Sequence, residues 1–271
     1  MDAIQAIVLG IVQGLTEFLP ISSTAHLRIV PAILGWDDPG SAFTAVVQLG
    51  TMLAVLIYFR ADLWRIAKAW FAGLRDEEQR RTLDARLGWY IILGTIPIGI
   101  FGLLFQHPVE HQFRNLYLVG AALVVGGIFL AYVDITARRT RDIESLDARD
   151  ATFIGFAQVL ALIPGVSRSG STISAGLWRG FTREAAARYS FLLSVPAVVL
   201  SGLFELKDVG EGGGAGAVPT VIAVILAFIV GYWSIAFLLR YLAQHTLRLF
   251  VLYRIGAGIL VIALAAAGAI S

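Results

Sequence analysis

Long apolar runs alternate with short polar connections along the chain. Six of the runs approach the roughly 20 apolar residues that a helix needs to cross the hydrocarbon core of a bilayer. They lie near residues 43–59, 88–105, 116–133, 189–206, 218–239 and 249–270. The pattern predicts an all-α integral membrane protein with about six full transmembrane helices, in a single membrane domain that covers residues 1–271.

Two further apolar regions, 3–34 and 151–178, are interrupted in the middle. The interruptions are Pro20-Ile-Ser-Ser-Thr24 and Pro164-Gly-Val-Ser-Arg-Ser-Gly170. Proline, glycine and a row of hydroxyls cannot continue a helix that is exposed to lipid. Each region therefore predicts a re-entrant hairpin, in which two short helices flank a polar tip that protein or a water-filled cavity surrounds.

The two broken regions resemble each other. Gln13 precedes Ser22 by the same spacing at which Gln158 precedes Ser167, and three spans follow each region. Because three crossings is an odd number, the second unit is upside down relative to the first. We expect an inverted-topology repeat whose two polar tips meet near the midplane. The predicted units are residues 1–135 and 150–271, with approximate bounds.

Basic residues determine the predicted orientation. Lys and Arg are concentrated in 60–86 and 138–149, which we expect on the cytoplasmic side. The connections at 107–114 and 208–217 are then outside, as are both termini. The first residues lack the positive stretch of a signal peptide, so we expect the first apolar run to remain in the mature protein.

The composition argues against several classes of function. Only 15% of the residues are charged and 58% are hydrophobic, whereas a soluble domain carries about 25% charged residues. A net charge of +2 gives little support to nucleic-acid binding. The absence of cysteine excludes disulfides, thiolate zinc sites and thiol nucleophiles.

The polar tips carry the candidate chemistry. The first tip holds a carboxylate, an amide, hydroxyls and an imidazole, on Gln13, Glu17, Ser22, Ser23, Thr24 and His26. The second holds a guanidinium among hydroxyls, on Ser167, Arg168, Ser169, Ser171 and Thr172. A guanidinium matches phosphate oxygens, and a helix beginning near Ser169 would direct its positive end at an anion. An anion clamp, a nucleophile or water activator and a proton acceptor together indicate phosphoryl transfer.

Two other interpretations of the tips remain open. A transporter or flippase of a lipid phosphate would use the same midplane site, because broken helices in inverted repeats are typical of transporters. A structural bundle would use Arg168 and Glu17 only as a buried ion pair, which we expect under the other interpretations as well. Arg254, early in the last span, receives no role from the sequence.

At both tips the chain resembles the undecaprenyl-diphosphate phosphatase family, bacterial membrane enzymes also called bacitracin-resistance proteins. The resemblance covers essentially the full length. It is carried by Gln13-Gly-Leu-Thr-Glu-Phe-Leu-Pro-Ile-Ser-Ser-Thr-Ala-His26 and by Pro164-Gly-Val-Ser-Arg-Ser-Gly-Ser-Thr172. It implies hydrolysis of undecaprenyl diphosphate to undecaprenyl phosphate and inorganic phosphate, which returns the lipid carrier to cell-wall synthesis.

The resemblance also implies roles for single residues. Catalysis is expected of Glu17, Ser22, Ser23, His26 and Arg168. Substrate binding is expected of Gln13, Thr24, Ser167, Ser169 and Thr172. A Ser23 hydroxyl or a water, activated by His26 and Glu17, is the favoured nucleophile, and direct attack by His26 remains open.

The same resemblance implies cofactors, partners and location. A divalent cation, Mg²⁺ or Ca²⁺, is expected, with Glu17 as the candidate ligand. Position 13 departs from the commoner glutamate, which places a two-carboxylate metal site in doubt. The expected partners are a polyprenyl diphosphate lipid and membrane lipid, without nucleic acid, and a homodimer is left open. The expected location is the bacterial plasma membrane, with the site on the extracytoplasmic side.

Overall fold

The computed structural model describes residues 1–105, 115–205 and 216–270. These residues fold into helices, and none of them forms a β-strand, which confirms the predicted all-α class. In chain order the α-helices are α1 (Ala3–Phe18), α2 (Ser23–Leu34), α3 (Gly40–Tyr58), α4 (Arg60–Gly73), α5 (Glu77–Arg80), α6 (Leu83–Leu104), α7 (Leu116–Thr136), α8 (Ala148–Val159), α9 (Arg168–Trp178), α10 (Arg183–Glu205), α11 (Ala217–Leu242) and α12 (Arg248–Ala266). Short 3₁₀ helices occupy Ile143–Ser145 and Leu160–Leu162.

Several of the helices are suited to crossing a bilayer. Among the described residues, α6, α7, α11 and α12 are long and apolar enough. A fifth span results if α3 and α4 count together, although they bend by 71° at Phe59. The helix α10 covers residues 189–205 of the expected span at 189–206 but is not one of these candidates. A multi-pass membrane protein is confirmed, whereas the predicted number of six full spans is not.

The expected outer connections cannot be compared with the structure. Residues 107–114 and most of 208–217 lie outside the described residues. The predicted sides of the membrane therefore stay predictions.

Both interrupted regions have the predicted helix–break–helix form. Asp2 begins α1 through a reciprocal capping box with Gln5, and Asp147 begins α8 in the same way with Asp150. The first break follows Phe18, where Leu19 turns into an extended conformation before Pro20. Whether the hairpins re-enter the membrane stays a prediction.

The two breaks share an unusual backbone conformation. Ser22 and Ser167 have φ of 75° and 73°, in the left-handed region that side chains with a Cβ rarely adopt. Such a conformation costs on the order of 1–3 kcal/mol and persists only where surrounding contacts enforce it. The contacts between the tips, described below, provide that enforcement.

The hairpins pack on helices from the opposite half of the chain. The helix α1 lies along α11, and α8 lies along α6, while α7 and α12 pack on each other. The α1–α11 contact is so close that a Cβ at Gly10 would lie 2.6 Å from the carbonyl oxygen of Ala223. Each hairpin thus packs on a helix of the other predicted unit, as expected if the two units are intertwined. The bounds of the two units stay a prediction.

An ion-pair cluster closes the base of the second hairpin. Asp150, which is fully buried, accepts from Arg141 Nη2 and from Arg179 Nε, each at 2.6 Å. Burial raises the pKa of Asp150, but the hydrogen bonds from the two arginines and from the Asp147 backbone outweigh it and lower that pKa. The hydrogen bond between Arg141 and Asp150 also raises the pKa of Arg141. The cluster therefore joins the start of α8, the end of α9 and the basic connection before α8.

Candidate active site

The tips of the two hairpins contact each other, as predicted. The N–H of Gly165 donates to Ser22 Oγ at 3.2 Å, and Ser169 Oγ donates to the carbonyl oxygen of Leu19 at 3.0 Å. Ser22 and Ser169 are both buried. Each tip thus provides a hydrogen-bond partner that the other tip needs, since buried polar groups without partners are costly.

Glu17 is the centre of the polar contacts between the tips. Its Oε1 accepts from Arg168 Nη2 at 2.8 Å, which confirms the predicted ion pair. Its Oε2 accepts from Ser23 Oγ at 2.7 Å and from Gln13 Nε2 at 3.2 Å. Only 6% of the Glu17 side chain is exposed, and 12% of the Arg168 side chain. Because the carboxylate already accepts the Ser23 hydroxyl, it is placed to take a proton from that hydroxyl or from a water in its place.

One arm of the Arg168 guanidinium remains available. Its Nη1 is buried and has no hydrogen-bond partner among the described residues. The helix α9 begins at Arg168, so its positive end lies at the same place. A phosphate oxygen would satisfy Nη1 without breaking the pair with Glu17. The second tip therefore has the groups that an anion-binding element requires, while it remains paired with the carboxylate of the first tip.

His26 lies one helical turn beyond the first tip and is buried. Its Nδ1 is 2.7 Å from the carbonyl oxygen of Ser22, and its Nε2 is 2.7 Å from the hydroxyl of Tyr253. The Tyr253 ring stacks on the imidazole with centroids 5.5 Å apart. His26 thus bonds to Ser22, and Glu17 bonds to the adjacent Ser23.

The predicted hydroxyls of the second tip bond to protein groups. Ser167 Oγ accepts from the N–H of Gly170 at 3.1 Å and so caps α9. Thr172 Oγ1 donates to the carbonyl oxygen of Arg168 at 2.8 Å and lies 2.6 Å from Ser190 Oγ. These contacts stabilise the first turn of α9, which carries the guanidinium.

The first tip has the more accessible hydroxyls. Ser23 is partly exposed and Thr24 is exposed, whereas Ser22 is buried with its Oγ 3.2 Å from Thr24 Oγ1. Gln13 lies in the interior, where its amide contacts Glu17 and Thr51. A reacting group therefore has easier access to Ser23 and Thr24 than to the serines of the second tip.

Arg254 holds the two tips together, a role that the sequence reasoning missed. This arginine is 1% exposed and donates to backbone carbonyls of both tips, Pro20 at 3.1 Å, Gly165 at 3.0 Å and Val166 at 2.9 Å. A signal was present, because an arginine inside a long apolar run is costly and normally meets a specific partner. The partners could not be found from sequence, since backbone carbonyls leave no pattern in it.

Space for Arg254 depends on two glycines. A Cβ at Gly126 would lie 2.2 Å from Arg254 Nη2, and a Cβ at Gly170 would lie 2.5 Å from Nη1. Any larger side chain would displace the guanidinium. These glycines therefore belong to the architecture of the tips.

The described residues offer few ligands for a metal ion. They contain no group of three or more His, Asp or Glu side chains that could hold one. Glu17 already accepts three hydrogen bonds, and beside it Gln13 Oε1 is buried without a hydrogen-bond partner. A divalent cation would thus find one carboxylate and one amide oxygen, so diphosphate oxygens and water would have to complete its coordination, as is common for Mg²⁺.

The chain is similar to many curated bacterial proteins over its full length. A relative from Thermobifida fusca, named undecaprenyl-diphosphatase, is 52% identical over 100% of this chain and 93% of its own length. Relatives with the same name from Mycolicibacterium smegmatis and Chloroherpeton thalassium are 51% and 49% identical, over 100% and 99% of this chain and 99% and 98% of their own lengths. The family model described as "Bacitracin resistance protein BacA" matches residues 6–260. With nearly the whole sequence matched, and with the two motif-bearing tips joined in the structure, this chain belongs to the bacitracin resistance protein BacA family.

Proposed function

We infer that this chain is an undecaprenyl-diphosphatase, which hydrolyses undecaprenyl diphosphate to undecaprenyl phosphate and inorganic phosphate. The observation that carries the inference is the Ser23–Glu17–Arg168 arrangement between the tips. It occurs in a chain that is about half identical, over its full length, to proteins named for this activity. The arrangement supplies what phosphoryl transfer requires, a positioned nucleophile, a proton acceptor and an anion clamp.

Arg168 and the first turn of α9 bind the diphosphate in this proposal. The unpaired Nη1 donates to a phosphate oxygen, and the positive end of α9 favours the negative charge. Ser167 and Thr172 support this binding because their hydrogen bonds stabilise the first turn of α9. Ser169 supports it by a hydrogen bond that joins this turn to the first tip. The isoprenyl tail stays in lipid beside the hairpins.

Glu17 accepts the proton of the attacking group. When the oxygen of Ser23, or of a water in its place, forms a bond to the terminal phosphorus, the bridging P–O bond breaks and undecaprenyl phosphate leaves with the bridging oxygen. The proton passes to Glu17 Oε2, which already accepts the Ser23 hydroxyl at 2.7 Å. If Ser23 attacks, a water then releases phosphate from the serine. Attack by His26 would first require its Nε2 to leave the hydroxyl of Tyr253.

A divalent cation, Mg²⁺ or Ca²⁺, is part of the proposal. Glu17 and Gln13 would hold it, and it would neutralise charge on the diphosphate. A chelator arm in the assay tests this requirement directly. Loss of activity with chelator and its recovery with added cation would support it, and unchanged activity would exclude it.

The site faces the extracytoplasmic side of a bacterial plasma membrane in this proposal. The concentration of Lys and Arg in 60–86 and 138–149 supports the orientation by the positive-inside rule. The comparisons give no support to the alternative of a lipid-phosphate transporter.

A phosphate-release assay tests the function. Purified protein in detergent is given undecaprenyl diphosphate, with Arg168→Ala and Glu17→Ala measured beside the wild type. Release by the wild type, with loss in both folded variants, supports the enzyme and its site between the tips. A well-folded wild type that releases no phosphate, with cation supplied, would contradict the phosphatase and favour the transporter.

A further inference from the structure

The hydroxyl of Tyr253 bonds to His26 Nε2 from a partly exposed position on the described part of the chain. The side chain belongs to the first turns of α12, next to Arg254 in sequence. Arg254 is buried, whereas Tyr253 is 47% exposed. Two consecutive residues of α12 thus contact the region of the tips, Arg254 through a buried guanidinium and Tyr253 through a partly exposed phenol.

The two hydrogen bonds of His26 determine its tautomer. The carbonyl oxygen of Ser22 can only accept, so Nδ1, at 2.7 Å, must carry a proton. In a neutral imidazole the lone pair is then on Nε2, where the Tyr253 hydroxyl lies at 2.7 Å. The phenol therefore donates to the only nitrogen of neutral His26 that can accept a proton or attack phosphorus.

Burial makes this contact consequential. His26 is only 6% exposed, so the phenol reaches a ring that is largely shielded from water. The phenol ring lies nearly parallel to the imidazole, at an interplanar angle of 14° with centroids 5.5 Å apart. The hydrogen bond and the parallel ring from the same residue thus fix the orientation of the imidazole.

We propose that Tyr253 is a positioning residue for His26. Its hydroxyl donates to Nε2 and fixes the orientation of the imidazole, while the Ser22 carbonyl keeps the proton on Nδ1. Any proton that reaches His26 during the reaction enters at Nε2, so it arrives through this hydroxyl or after the phenol moves aside. The proposal rests on the proposed phosphatase activity for its kinetic consequence. Its structural part, the hydrogen bond to Nε2, can be measured without turnover.

The Tyr253→Phe variant tests the hydrogen bond while the stacked ring is kept. We expect kcat/KM for undecaprenyl diphosphate to fall about 10-fold or more, through kcat rather than KM, since positioned proton transfer contributes roughly 10²–10⁴-fold. Tyr232→Phe is the matched control, because that tyrosine is 39% exposed and lies on α11 against Tyr58. The control should keep wild-type kinetics. Wild-type kcat/KM in Tyr253→Phe would overturn the proposal.

A double-mutant cycle separates positioning from a general structural effect. In a His26→Ala background, Tyr253→Phe should cause no further loss of the residual activity, because the tyrosine acts through the histidine. An equal loss in both backgrounds would show that Tyr253 acts independently of His26 and would overturn the proposal.

Nitrogen-15 NMR of histidine-labelled protein reports the tautomer. The chain has four histidines, so the His26 signals are assigned by their absence in His26→Ala. The wild type should show a protonated Nδ1 and an acceptor Nε2 that is hydrogen-bonded to the phenol. In Tyr253→Phe the Nε2 signal should move downfield, because the nitrogen loses its donor, while Nδ1 stays protonated through the Ser22 carbonyl. An unchanged Nε2 signal in Tyr253→Phe would overturn the proposal. Failure of the wild type to release phosphate would instead count against the phosphatase, since the NMR result does not depend on turnover.

Discussion

Arg168 and Glu17 are 151 positions apart in the chain, yet Nη2 of the one lies 2.8 Å from Oε1 of the other. Each partner belongs to the tip of a different hairpin. The proposed proton acceptor and anion clamp are therefore assembled only when both halves of the chain fold against each other. Neither half alone contains a complete site.

Replacing Glu17 by Gln tests the proton-acceptor role. The amide keeps the size of the carboxylate but cannot take a proton, so we expect kcat to fall about 10²–10⁴-fold. Phosphate release by the purified variant measures this loss. Glu184→Gln, on an exposed residue in the first turn of α10, is the control and should retain wild-type rates. A Glu17→Gln rate within a factor of about two of the wild type would refute the role.

Replacing Arg254 by Met tests the contact that holds the tips. The change leaves carbonyl oxygens of Pro20, Gly165 and Val166 without their donor, at a cost of about 1–3 kcal/mol for each unsatisfied group. We expect a melting temperature in detergent lower by several degrees, since about 1 kcal/mol shifts it by about 2–4 °C in a chain of this size.

The exposed Arg240, at the end of α11, provides the matched control for that change. Arg240→Met removes the same charge and inserts the same side chain but should leave the melting temperature unchanged. Equal melting temperatures for the two variants would mean that the buried contacts of Arg254 contribute nothing to stability.

The sequence predicted the all-α membrane class and both hairpins because each has a strong local signal. Proline and the hydroxyls at Pro20–Thr24 cannot continue a lipid-exposed helix, and the structure breaks there. The Glu17–Arg168 ion pair was also predictable, since a buried charge requires a partner of opposite sign.

Other parts of the site had no such signal. Tyr253 looks like an ordinary interfacial aromatic residue, and only the packing of α12 on α7 and the tips brings it to His26. The predicted number of six full spans is not confirmed. Four described helices are long and apolar enough to cross a bilayer, or five if α3 and α4, which bend by 71°, count as one.

Replacing Gln13 by Glu tests the cation requirement. The present amide donates to Glu17 Oε2 at 3.2 Å, whereas a second carboxylate would repel it. We expect Gln13→Glu to be less active and less stable than the wild type in chelator, and to gain more from added Mg²⁺ or Ca²⁺. Phosphate release and melting temperature across a cation titration measure both effects. Equal responses in the two proteins would exclude this position as part of a cation site.

Asp150 gives a pH-dependent prediction outside the candidate spans. Its pKa is lowered in the folded protein, because the hydrogen bonds from Arg141 and Arg179 outweigh the effect of burial. The stability that it contributes is therefore present above the unfolded pKa, about 3.9, and is lost as the pH falls through the lower folded pKa.

Asp150→Asn should consequently lower the melting temperature at neutral pH, by an amount that corresponds to about 1–3 kcal/mol. The difference from the wild type should shrink in acid. Asp37→Asn changes an exposed carboxylate and should show no difference at either pH. A difference for Asp150→Asn that grows as the pH falls would contradict the lowered pKa.

The bend between α3 and α4 has a consequence for where the reaction takes place in the bilayer. With α3 across the membrane, a 71° turn lays α4 along the headgroup layer, where its exposed Trp64 and Phe71 would act as interfacial anchors. Thr51, the α3 partner of Gln13, is then about 12 Å below that layer at 1.5 Å per residue. Along α1, Gln13 lies about 15 Å from the start of the helix, and together the two depths approach the roughly 30 Å of hydrocarbon. In the proposed orientation the diphosphate would therefore descend to about the midplane from its own leaflet, so the carrier lipid would leave the headgroup level of its neighbours before it is hydrolysed.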